Sequence, residues 1–189
     1  MGVTAKLLML LQFAAADVAG GLFIANATTL VFGVHPLWWH YLLGVFFAVL
    51  PDLDIPLQMA VEGRMRCDHR KYLHHPLIAL LVAVAVWPIA GGFWAVLWAG
   101  CLLWHFVHDS LGWHLVWWAP LSSKGYQFSV KREGRLHPVY VMSQEEMAER
   151  NNLPVSDNFS GKIAIPWSQL FVGLGLCVVA ILLALLRQR

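Results

Sequence analysis

Long apolar runs carry most of this chain, and few folds tolerate such runs outside a bilayer. The stretch from about Pro166 to Leu186, closed by Arg187 and Arg189, has the roughly twenty-residue length that a helix needs to cross the hydrocarbon core. A hydrophobic fraction of 59% against 13% charged residues over 189 positions departs from the composition of a soluble domain. The expectation is an all-α membrane protein, a helical bundle of about four to five membrane-embedded helices. A formal charge of +2 is too mild to suggest a nucleic-acid partner. Cys67, Cys101 and Cys177 form no CxxC pair, and the last two sit in apolar runs where packing accounts for them.

Three short polar clusters interrupt the apolar runs: PDLD with Asp52 and Asp54, DHRKYLHHP with His69 and His74, and WHFVHDS with His105 and Asp109. An unpaired carboxylate or imidazole beside apolar helices is costly, so a shared site is the economical reason for all six. His105 and Asp109 are four apart on an expected helix and share one face. Two carboxylates in PDLD suit either metal bridging or one ligand plus one general base. In the intervening loop the imidazoles of His69 and His74 can converge, and Arg70 is a natural clamp for phosphate or carboxylate. Cys67 as a fourth ligand, His75 as a hydrogen-bonding neighbour and His108 as a competitor of His105 stay open.

The pass along the chain places these clusters together. The first apolar segment, Leu7 to Phe32, carries Asp17 and Asn26 and reads either as a span with a polar inward face or, preferred, as an interfacial turn leading into a span from about Val18. Trp38 to Leu50 reads as a second helix that stops at Pro51, so PDLD emerges at its end. Leu77–Pro88 and Phe93–Val107 read as a helical hairpin bent at Pro88 and Gly91-Gly92. Most Lys and Arg then share one side with all three clusters, and the positive-inside rule makes that side cytoplasmic. The ten tryptophans are read mainly as interfacial anchors.

Residues 122–165 differ in kind and divide a helical membrane domain, 1–121, from the last span, 166–189. YQFSV and VYVM alternate like short strands around KREGRLHP. In SQEEMAER, Ser143 three residues before Glu146 is a capping-box start for a short helix. The expectation is a polar flap containing a β-hairpin and one helix.

The order PDLD, then HR with a histidine five after the first, then HxxxD and a Trp-rich stretch ending at Pro120, resembles the YdjM-like inner-membrane family of metal-dependent hydrolases. The resemblance spans roughly residues 10–121 and matches Asp52, Asp54, His69, Arg70, His74, His105 and Asp109. It implies distant similarity to zinc-dependent phospholipase C and related nucleases, which use clustered zinc to hydrolyse phosphoesters. This chain departs from that pattern at Ile55, where the family has histidine, and at Leu73-His74-His75, where the family has Thr-His-Ser. Asp17 stands where the family has an N-terminal histidine, and as an oxygen donor it would open the site to zinc, manganese or mixed metals.

The expectation is therefore a membrane-bound hydrolase in a bacterial inner membrane, holding a divalent metal, with zinc first, through Asp17, Asp52, Asp54, His69, His74, His105 and Asp109. Asp52 or Asp54 would act as general base and Arg70 would neutralise charge, with a membrane lipid headgroup phosphoester as substrate. Two rivals are a metal or proton transporter lined by the same residues, and a non-catalytic protein with a structural metal. A transporter would carry polar groups deep in several spans, whereas here they crowd at one end.

Overall fold

A computed structural model describes residues 3–62, 70, 72–132, 135–152, 175 and 179. His69, Cys67 and nearly all of the expected last span lie outside the described residues. Those described are mostly helical and include one two-stranded antiparallel sheet. In chain order they form α1 (Val3–Val31), α2 (Trp38–Val49), a 3-10 turn (Leu50–Leu53), α3 (Asp54–Glu62), α4 (Pro76–Ala90), α5 (Gly92–Gly112), β1 (Gly125–Arg132), β2 (Arg135–Met142) and α6 (Gln144–Asn152). They fall into two compact units, the first drawn from Met1–Leu50 and Leu80–His105, the second from Pro51–Ala79 and Phe106–Ala164.

In the first unit, α1 is a single helix, with no turn ahead of Val18. The segment holds no proline, and Ala14, Ala15 and Ala16 are strong helix formers, so Asp17 is carried within the helix rather than at its entrance. The helix ends in a Schellman motif: Val34 N–H donates to Thr29 O at 2.9 Å and Gly33 N–H to Leu30 O at 3.2 Å. Gly33 takes φ +64°, which a side chain would oppose, and Pro36 follows close behind. The next helix, α2, is capped from inside, since Leu37 N–H donates to His40 Nδ1 at 3.0 Å.

Helices α1 and α2 meet where both lack side chains. A Cβ on Gly21 would overlap the Gly44 carbonyl, and one on Gly44 would overlap the Gly21 carbonyl and the Ala25 methyl. Small residues let the backbones approach, the contact favoured between helices in lipid. The buried cluster beside this crossing is Ala25, Ala48, Leu97 and Cys101, flanked by Ile24, Tyr41, Phe47, Phe93 and Trp94.

Polarity in this unit runs opposite to that of a water-soluble domain. Asp17, Asn26, Thr28, Thr29, His40 and His105 are buried, while Val31, Trp38, Leu42, Val84, Trp87 and Ile89 are exposed, Ile89 at 85%. Ala14–Val31 and Trp38–Glu62 are long and apolar enough to cross a membrane, and α4 is apolar but shorter. Gly91, at φ +91°, breaks the chain between α4 and α5, at the hairpin bend that Pro88 and the paired glycines suggested.

Helix α2 ends at Val49, just before Pro51, where the sequence placed its boundary. Pro51 lacks only an N–H that a first turn leaves unused, so a 3-10 turn carries PDLD directly into α3. The insertion matches its expectation closely. Strands β1 and β2 pair antiparallel, with Phe128 opposite Val139 and Tyr126 opposite Val141. Ahead of α6, Ser143 Oγ accepts from Glu146 N–H at 3.2 Å, and Glu146 Oε2 accepts from Ser143 N–H at 3.1 Å, a reciprocal capping box.

A methyl group at Gly44 has nowhere to go without parting α1 from α2. Gly44→Ala should lower stability by about 1–3 kcal/mol, the usual cost of overpacking. Thermal unfolding of the detergent-solubilised protein would check this, with unchanged stability contradicting the glycine contact.

Candidate metal centre

The second unit assembles side chains from all three polar clusters. Asp54 opens α3 and is fully buried, and its carboxylate faces the loop that precedes α4. Leu73 N–H donates to Oδ1 at 2.8 Å and to Oδ2 at 3.0 Å, and Tyr72 N–H donates to Oδ2 at 3.1 Å. His74 Nδ1 stands 2.9 Å from the same Oδ2. Four contacts from three consecutive residues converge on one carboxylate. Such charge-assisted bonds fix the loop and replace the solvation that Asp54 gives up.

A carboxylate can only accept, so the proton of this contact sits on His74 Nδ1. The other nitrogen, Nε2, lies 3.4 Å from Asp109 Oδ2. In a neutral imidazole Nε2 carries a lone pair, and two acceptors at that distance repel unless a cation lies between them or the ring takes a second proton. Two ligands on a tetrahedral ion with bonds of about 2.0–2.1 Å stand about 3.4 Å apart. The nitrogen and oxygen donors thus fit a divalent metal, and Asp54 stands behind His74 as carboxylates stand behind metal-bound histidines.

Asp109 has a second partner. Arg70 Nε donates to Asp109 Oδ2 at 2.6 Å, and the guanidinium lies 5.5 Å from the centroid of the Trp113 ring. Arg70 is therefore both paired with Asp109 and in cation–π contact with the Trp113 indole.

In the first unit, His105 is fully buried on α5 with its Nδ1 2.8 Å from the Ala48 carbonyl and 3.3 Å from Asp17 Oδ2. The carbonyl fixes the proton on Nδ1, which leaves Nε2 as the electron-pair donor. Asp17 is thus on the Nδ1 side of His105, the place of a carboxylate that orients a ligand ring. The same logic holds at His74, so both histidines present the same nitrogen.

Among the described residues, Asp52, His74 and His105 each offer a ligand atom, all within 4.8 Å of one another, and this group could hold a metal ion. Asp52 is half-buried, whereas the two histidines are buried. The group of three does not include Asp109, although its carboxylate meets His74. Of the residues singled out from sequence, Asp54 and Asp109 stand beside the His74 ring, Arg70 pairs with Asp109, Asp17 stands beside the His105 ring, and His69 lies outside the described residues. His75 is half-buried and His108 buried, and neither belongs to the group. Sequence reading missed two contributors. The Ala48 carbonyl carries no sequence signal at all, and Trp113 reads from sequence mainly as an interfacial anchor.

Comparison with protein-family models, with curated proteins and with solved structures returns no match.

Removing the Asp54 carboxylate would leave Tyr72 and Leu73 N–H groups buried without their acceptor. Asp54→Ala should cost about 1–3 kcal/mol locally. Hydrogen exchange at the Tyr72 and Leu73 amides should then quicken by roughly tenfold or more, and exchange at the wild-type rate would contradict the anchoring role.

Proposed function

We propose that the protein is a membrane-embedded, metal-dependent hydrolase of phosphoesters. The observation that carries this reading is the pair of buried histidines, each with a carboxylate beside Nδ1, an arrangement that makes Nε2 the nitrogen a metal would take. Asp52, His74 and His105 would hold the ion, with Asp109 beside His74 as a further oxygen donor. Nitrogen and carboxylate donors of this kind favour zinc, and the oxygen content admits manganese. A bound divalent ion supplies Lewis acidity and brings the pKa of its water close to neutrality.

The chain's own residues do the rest. Asp54 and Asp17 orient the imidazoles. Asp52, half-buried, would hold the ion through one carboxylate oxygen and accept the proton of the attacking water on the other. Arg70, held by Trp113, offers positive charge to a developing phosphorane oxygen, and Asp109 keeps the guanidinium in place until an anionic substrate competes for it. The inverted polarity of the first unit supports a bilayer location, since exposed leucine, valine, isoleucine and tryptophan suit lipid better than water. With the basic residues gathered on the side of the polar clusters, the positive-inside rule favours a cytoplasmic opening in a bacterial inner membrane. A phosphoester of a lipid headgroup is the substrate that such an opening meets first. The resemblance to the YdjM-like family points the same way.

A second reading is favoured by one contact. The 2.6 Å bond between Arg70 and Asp109 also suits a non-catalytic centre in which the guanidinium is a permanent structural partner.

The two readings separate in one experiment. Purified wild type should retain about one or more equivalents of zinc or manganese, as clustered sites do, and should cleave a phosphodiester from a panel that includes lipid headgroups. His74→Ala and His105→Ala should lose both metal and activity, and a chelator should abolish activity reversibly. Arg70→Ala should keep the metal and lose turnover by about 100-fold or more. Wild type without metal would sink the proposal, and metal retention with no cleavage would favour the structural reading.

A further inference from the structure

Within the first unit, the indole of Trp104 reaches across to α1 and donates from Nε1 to the Ala16 carbonyl at 3.1 Å. That carbonyl faces Gly20, one helical turn further on, and a Cβ at Gly20 would overlap the Trp104 ring. The indole thus docks on the turn from Ala16 to Gly20 because position 20 has no side chain. Both ends of this bond sit next to the ion-pair residues: Ala16 precedes Asp17, and Trp104 precedes His105.

We propose that Trp104 and Gly20 are positioning residues that set α1 against α5 so that Asp17 meets the His105 ring. The inference rests on the reading of His105 as a metal ligand. An indole offers a single hydrogen, and its bond to the Ala16 carbonyl, together with the ring's seat against Gly20, restrains how α1 meets α5. The contact it protects has little margin. His105 Nδ1 lies 2.8 Å from the Ala48 carbonyl and 3.3 Å from Asp17 Oδ2, and the second distance is near the limit of a hydrogen bond. A shift of α1 by a few tenths of an ångström is enough to lose it. Asp17 is 2% exposed, so once moved off the ring it has no access to water in compensation. The Trp104 bond supplies the constraint at the adjacent residue, where its effect on Asp17 is most direct.

The test compares Trp104→Phe, which keeps a ring and removes the N–H, with Gly20→Ala, which displaces the indole, in the full chain purified in detergent. Cobalt(II) titration should show each variant binding about tenfold more weakly, in line with other changes behind a metal-bound histidine. In an Asp17→Asn background the same two changes should cost less than about twofold, because the residue they act through is gone. Leu97→Ala, a core truncation in the same unit, should lower thermal stability and leave cobalt affinity at the wild-type value. In metal-free protein with 15N-labelled histidine, the Nδ1–H resonance of His105 should move in both Trp104→Phe and Gly20→Ala. Unchanged cobalt affinity in Trp104→Phe, or an equal loss in the Asp17→Asn background, would overturn the proposal. A wild type that binds no cobalt, yet whose His105 resonance moves in both variants, would reject the metal centre and support the positioning role.

Discussion

The Asp54 carboxylate is the interaction on which the second unit turns. It is buried, opens a helix, and accepts from two consecutive amides and the His74 ring, so it converts a flexible polar loop into a fixed one. Without it, His74 has no fixed tautomer and no fixed direction. With it, His74 Nε2 is held beside Asp109, and Asp109 in turn holds Arg70. One desolvated charge therefore organises three segments that are distant in sequence. The solvation it loses is offset only if every acceptor position finds a donor, which explains why the loop residues Tyr72, Leu73 and His74 all contribute.

In the first unit several polar side chains are buried while large apolar ones are exposed. Close glycine contacts join α1 to α2 beside a small apolar cluster. Asp17 is buried there against His105. Burying that pair is tolerable because the imidazole has both a carbonyl and a carboxylate at Nδ1. The arrangement parallels the one around His74, and two unrelated stretches of chain thus reach the same solution to orienting an imidazole.

Much of the fold could be read from particular residues. Ser143 and Glu146 announced the capping box, Gly91 and Gly92 announced the bend between α4 and α5, and the alternation in YQFSV and VYVM announced the hairpin. These are local devices, in which a residue's own backbone preference settles the outcome. Pro51 likewise announced the end of α2. One expectation differs: Asp17 by its own preference favours a turn near the start of the first span, yet the alanines around it and a partner on another helix carry it inside α1.

The sequence by itself determined which residues had to find partners. Asp52, Asp54, His74, His105 and Asp109 lie among apolar runs, and the cost of leaving them unsolvated singles them out before any fold is known. Only the tertiary structure decided which partner each one meets. Which edge of an imidazole a carboxylate faces is chosen by contacts such as the Ala48 carbonyl on the His105 ring. Those contacts join helices far apart in the chain, at distances of a few ångströms that no spacing of residues along the sequence encodes.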